Sequence, residues 1–420
     1  MAHLAFSGFC LFHKERTLLM SSSLRKILTT SCLLSSVLLA LPASSYAKSE
    51  QATQNAQKLG TILEKAPLPA ALSLPHAGPA YRITYLSTNG ITQNGLVPVT
   101  AEVILPAGKA PKGGWPIVAW AHGTVGINNK CAPSLSPYTE RNRIYLSEWM
   151  KRGFAIVATD YQGLGSPGTH PYLDTRVEAY SVLDSIRAAL SAFPVQNKIM
   201  IVGQSQGGGA AVASASFAPT YAPDLDIRGT VATGVPYITP ELVSALLQPH
   251  ANAKTETGYN PLMVYSLYLA AGLAGRDDNF KPQDAFTPKA MPAYRAASES
   301  CVTDLTALVK KEGLNFQNSV LPGFSKALAP AMEDMRYPTL KLAQPLFVGT
   351  GSEDKDVPPV LQFGLVKAAC AAGAVVQAHV YPGLDHSQTV NASLPDSAAF
   401  TQAVMSGKPV QSNCGAIAGQ

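Results

Sequence analysis

Apolar positions follow two rhythms along this chain. Short continuous apolar runs occur within Trp115–Ala121, Phe154–Thr159, Lys198–Val202, Ile227–Val235, Gln344–Gly349 and Val375–Tyr381. Each reads as a short strand, and the unbroken run Ile199–Val202 predicts one covered on both sides in a parallel sheet. Two further strands, Arg82–Thr88 and Pro98–Leu105, are joined by a Gly/Asn turn. The second rhythm is helical. Within Arg176–Phe193 the apolar residues Val177, Tyr180, Val182, Leu183, Ile186 and Leu190 share one helix face. Helices are also expected from Gly207 onward, over Pro359–Ala372 and from about Leu394 to Met405. Strand alternating with helix predicts an α/β fold with a mostly parallel sheet flanked by helices.

The alternation breaks at residue 237. From 237 to 342 the chain is helical in character, punctuated by proline and without clear strands, which predicts a cap inserted after the sixth strand. Its uncharged run "PLMVYSLYLAAGLAG", 261–275, is shorter than a membrane span. A buried cap helix and a lid or lipid-contacting surface both fit it. The core then falls into two parts, 81–236 and 343–420, and 48–80 reads as a leader lying across the body.

The first 47 residues have their own logic. Arg25 and Lys26 precede an apolar run from Ile27 to Leu41, and Ser45-Tyr46-Ala47 ends it with the small residues of an export signal's cleavage site. Translation is expected to start at Met20, with cleavage after Ala47 and export to a periplasm or the medium. No cysteine follows that site, so no lipid anchor is expected. Removal takes Cys10 and Cys32 and leaves Cys131, Cys301, Cys370 and Cys414. An even number in an exported protein predicts two disulfides, with three pairings open, and no metal-ligand spacing appears. The formal charge of +5 falls to +2 once the first 47 residues are set aside. Nothing here is a polybasic nucleic-acid binder.

Candidate chemistry gathers at the strand ends. Gly203-Gln204-Ser205-Gln206-Gly207 fits G-x-S-x-G, the sharp strand-to-helix turn that presents a serine over the helix N-terminus. Ser205 is the candidate nucleophile. A serine hydroxyl needs a base, and the base an orienting acid, in the chain order Ser, Asp/Glu, His. His250 and His386 follow Ser205; His250 lies in a polar insert, whereas His386 follows the last strand. For the acid, Gly351-x-x-Asp354-x-x-Val357-Pro358 singles out Asp354, with Asp385 the alternative. One oxyanion donor is the amide of Gln206; the second comes from His122-Gly123-Thr124 or Asp160-Tyr161, with Gly123, Thr124 and Asp160 all open. "GLGSPG", 163–168, has the outline of a dinucleotide turn, but Pro167 and "THPYLD" provide no helix to receive a pyrophosphate, so no cofactor is expected.

The ordered set "AHGTVGINNKCAPS", "GFAIVATDYQGLG", "VGQSQGG", "GTGSEDKDVPP" and "YPGLDH" resembles the secretory lipase family of the α/β-hydrolases, of fungal lipase A type. The resemblance implies ester hydrolysis through an acyl-enzyme, with Ser205, Asp354 and His386 in the triad positions and Asp160 and Gln206 at the oxyanion. It also implies disulfides Cys131–Cys301 and Cys370–Cys414, a lipid or other ester as substrate, and contact with a lipid interface through the cap. The chain departs from the fungal pattern at Gln206, where a smaller residue stands. A peptidase or acyltransferase with the same triad, and a non-catalytic lipid carrier, are the competing readings.

Overall fold

The computed structural model describes residues 58–75, 77–239, 242 and 258–417. Everything expected of residues 1–47, and His250, lies outside them. The strands are Ile62–Pro67 (β1), Ala77–Thr88 (β2), Leu96–Pro106 (β3), Trp115–Ala121 (β4), Ala155–Thr159 (β5), Val195–Gln204 (β6), Ile227–Thr233 (β7), Leu346–Gly351 (β8) and Val376–Tyr381 (β9). They form one sheet in the order β1-β2-β3-β5-β4-β6-β7-β8-β9. β1, β2 and β3 pair antiparallel, and β3 meets β5 antiparallel; every pairing from β5 to β9 is parallel.

The central strand β6 shows why its apolar run is continuous. Ile199 and Ile201 join the cluster that contains Val182 and Ile186 of helix α2 (Thr175–Ala192) and Ala210 of α3 (Gln206–Tyr221). Met200 and Val202 point the other way, toward Tyr145 and Trp149 of α1 (Glu140–Lys151) and Phe400 of the late helix Leu394–Met405. Period-two alternation therefore places each neighbour on an opposite, equally apolar face.

Two expectations change. The segment 48–80, read as a leader across the body, supplies the edge strand β1 and the first residues of β2. Its alternation is hidden because β1 is an exposed edge strand with only a weak apolar face. The insertion consequently follows the seventh strand, not the sixth. Between β7 and β8 lie α4 (Pro261–Ala274), α5 (Met291–Ala297), α6 (Val302–Glu312) and three short helices ending at Asp334. They have their own apolar cluster around Leu267, Phe286, Leu305 and Phe324.

α4 is the uncharged run. Met263, Val264, Leu267 and Tyr268 are buried in the cap, while Pro261, Leu262, Tyr265, Ser266 and Leu269 face a cavity of about 560 Å³. None of the described helices is long and apolar enough to cross a membrane. The disulfides are Cys131–Cys301 and Cys370–Cys414. The first ties the turn after β4 to the N-cap of α6, and beside it Val302 N–H donates to Val125 O at 2.8 Å.

Candidate active site

Ser205 stands where β6 stops and α3 starts, with φ 60° and ψ −126°. Left-handed backbone at a non-glycine residue is costly, so something must hold it. Its N–H donates to Thr233 O on β7 at 2.9 Å, and its carbonyl accepts from Gly209 N–H at 3.1 Å. The flanking glycines are required by close approach. A Cβ on Gly203 would lie 1.9 Å from Gly207 O, and one on Gly207 1.9 Å from Ala121 O. The strand, turn and helix can cross only without those carbons.

The loops after β8 and β9 bring the other two residues together. His386 Nδ1 lies 2.7 Å from Asp354 Oδ2. That oxygen also accepts from Gln362 Nε2 at 2.9 Å, and Oδ1 accepts from the amides of Asp356 and Val357 at 3.0 and 2.8 Å. Four donors on one carboxylate make Asp354 a fixed acceptor. Asp385, the alternative acid, instead caps the next turn through the amides of Ser387 and Gln388. His386 packs against Gly234, which immediately follows the residue that holds Ser205, so the two residues share one support. Ser205, Asp354 and His386 are 7%, 4% and 7% exposed.

Asp160 does not offer the donor expected of it. Its N–H donates to Thr100 O at 2.8 Å, and its carboxylate accepts from Thr100 Oγ1, Ser134 Oγ and Ser134 N–H. Pairing of β3 with β5 takes the amide, and the carboxylate pins the 129–135 turns. Burial pushes this carboxyl above its ordinary range. Gly123 is the strand-end residue beside Ser205: a Cβ there would lie 3.4 Å from Ser205 Cβ. Thr124 follows it, its hydroxyl paired with Tyr172 at 2.6 Å.

Gln206 sits at the first position of α3, where a helix amide has no intrahelical acceptor. Its side chain is anchored behind the site. Nε2 donates to Glu178 Oε1 at 2.7 Å and to His170 Nε2 at 2.8 Å. Burial lowers His170 to about 3 and raises Glu178 to about 8. His170 is therefore neutral; its Nδ1–H donates to Gln162 O at 3.0 Å, leaving Nε2 to accept. The "GLGSPG" turn wraps this histidine, with Gly163 against His170, and the next helix starts only at Thr175.

Three site residues carry no sequence signal of their own. Gln204 faces His386, Arg141 of α1 faces Gln204, and Gly234 makes room for the imidazole. Only contact across long sequence separations reveals them.

A model of the secretory lipase family matches residues 132–413. The chain belongs to the secretory lipase family. With the family comes the reaction class: this is a carboxylic ester hydrolase acting on a lipid or other ester. Lipase A of Moesziomyces aphidis is 24% identical over 392 residues, covering 86% of this chain and 80% of that protein. A probable inactive lipase of Mycobacterium tuberculosis is 30% identical over 187 residues, 41% of each chain. Among solved structures, Candida antarctica lipase A in its closed state matches with a TM-score of 0.67 at 20% identity over 85% of both chains. The rice cell wall degrading esterase of Xanthomonas oryzae gives 0.60 at 16% identity, covering 82% of this chain and 97% of the other. These structures share the α/β-hydrolase fold.

Proposed function

We propose that the chain is an exported serine lipase or esterase that works through an acyl-enzyme formed on Ser205. The observation that carries this reading is the 2.7 Å contact between His386 Nδ1 and a fully hydrogen-bonded Asp354, beside a serine on a strained elbow. Asp354 holds the Nδ1 proton, leaving the Nε2 lone pair of His386 to take the proton of Ser205 as its oxygen attacks the ester carbonyl. The amide of Gln206 and the Gly123–Thr124 turn receive the oxyanion. The tetrahedral intermediate collapses as His386 protonates the departing alcohol. Water, deprotonated by the same histidine, then releases the acid and restores Ser205.

The cavity between the cap and the Asp354 loop takes the acyl chain. Leu269, Phe316, Phe324 and Met332 give it apolar walls, and Asp354, Lys355, Pro358 and Leu361 form its core side. The cap surrounding it is the face expected to meet a lipid interface. The secretory family and two disulfides support export.

One observation favours a second reading, a lipid carrier without turnover: the M. tuberculosis relative is named inactive. Hydrolysis of p-nitrophenyl esters from acetyl to palmitoyl, by wild type and Ser205→Ala, decides between them. Turnover of the longer esters, abolished in Ser205→Ala, is expected. Turnover that survives in Ser205→Ala refutes the mechanism, and an inert wild type leaves the carrier.

A further inference from the structure

We propose that Gln204 is a positioning residue that caps Nε2 of His386 in the resting enzyme and must release it before Ser205 can react. The proposal rests on the reading of His386 as the base. Gln204 is 2% exposed, and its amide is bound at both ends. Its Oε1 accepts from Arg141 Nη2 at 3.1 Å, and its Nε2 lies 2.8 Å from His386 Nε2. A guanidinium can only donate, so it fixes which end of the amide is oxygen and turns the NH₂ toward the histidine. Because Nδ1 of His386 faces a carboxylate, the imidazole carries its proton there and accepts at Nε2. The lone pair needed by Ser205 is therefore engaged by an amide N–H.

Two neighbours enforce this arrangement. Gly123 packs on the amide so closely that a Cβ there would lie 2.7 Å from Gln204 Oε1. Arg141 is braced by Nη1 donating to Ser387 Oγ at 3.2 Å, and the Asp356 and Asp385 carboxylates favour its charged form. Once Nε2 is protonated, two donors would face each other. The amide must then withdraw or flip, and flipping sets its NH₂ against Arg141. Arg141 thus biases the site toward the capped state.

The test is phosphonylation of Ser205 by a p-nitrophenyl alkylphosphonate. The Oγ–P bond forms, the P–O bond to nitrophenolate breaks, and the serine proton passes to His386 Nε2. Each rate is referred to its own nitrophenolate burst, so only folded sites count. Gln204→Met removes the capping donor and Arg141→Met frees the amide to flip; each is expected to accelerate phosphonylation about two- to tenfold. Gln204→Glu places a carboxylate between Arg141 and Nε2–H, holds the imidazolium and slows the reaction about a hundredfold at neutral pH. A purely structural role would slow all three. Unchanged or slower rates in both methionine variants overturn the proposal; if Gln204→Met gives no burst, Arg141→Met alone decides the sign. An unreactive wild type, or a reactive Ser205→Ala, would instead remove the triad reading beneath it.

Discussion

Replacing Gly234 by alanine asks whether His386 must stand where it does. Gly234 has φ +60°, and a Cβ there would lie 2.6 Å from Cε1 and 2.8 Å from Nδ1 of His386. Carbon atoms in contact settle at about 3.5–4.0 Å, so the ring must shift by roughly 1 Å from the place where it meets Asp354. Two costs then separate. Left-handed backbone costs an alanine about 1–2 kcal/mol, which appears as stability. A catalytic group misplaced by about 1 Å costs on the order of a hundredfold in turnover, equivalent to about 2.7 kcal/mol of barrier. The assay pairs kcat on a saturating p-nitrophenyl ester with thermal unfolding, for wild type and Gly234→Ala. Expected are a kcat lower by about a hundredfold and a Tm lower by only about 1–3 °C. A variant that melts earlier yet keeps kcat within about twofold would refute the reasoning. His386 could then move without consequence and would not be the base.

Asp354→Asn should lower kcat by about 10³–10⁴, because the amide no longer holds the Nδ1 proton; near-normal turnover in steady-state kinetics would transfer the role to Asp385. Burial raises Glu178 to about 8, despite the hydrogen bond from Gln206. Protonation therefore favours the folded state: the favourable contribution is full below about pH 4.3 and is lost as pH rises toward about 8, on the order of 1 kcal/mol per unit. Glu178→Gln should accordingly gain Tm over wild type at pH 8 and match it near pH 4, read by thermal melts across that range. Breaking Cys131–Cys301, which closes 170 residues, should cost about 5 kcal/mol in the chain-entropy model, against about 4 for Cys370–Cys414 across 44. Denaturant melts of the two double Cys→Ser variants would rank them. Ser266→Trp, which projects bulk into the cap cavity, should reduce kcat/KM for palmitoyl esters at least about tenfold while sparing acetyl esters.

Legibility followed the range of the interactions. The inner strands are apolar on both faces, so β4 to β8 stand out without any knowledge of their partners. β1 does not, because most of its residues face solvent and only backbone pairing with β2 makes it a strand. The elbow was legible because its glycines answer to atoms a few residues away or on the adjoining strand. Asp354 and His386 were reachable through chain order and strand ends. What Asp160 does was not legible for a local reason: it ends a strand on the correct edge, but pairing with Thr100 takes its amide. Gln204 and Arg141 could not be found, since the value of an amide or a guanidinium depends on what it faces, here 182 and 63 residues away.

A relative named inactive and an intact Ser, Asp and His can share one fold because the fold itself carries no chemistry. The cavity is what binding alone would require: apolar walls supply affinity, and a carrier would be served by them without any buried polar cluster. Asp354 is a buried carboxylate with four donors, Gly234 adopts left-handed backbone to admit an imidazole, and Ser205 is held at φ 60°. Each costs folding free energy that an apolar filling of the same space would avoid. None of the three improves the retention of an acyl chain. In the proposed mechanism their common effect is to set an imidazole to work on the Ser205 hydroxyl, which matters only where a proton must move. Ser205→Ala separates the two properties: it should retain acyl-chain binding in the cavity and lose turnover, and loss of binding along with turnover would mean that cavity and polar cluster had been wrongly divided.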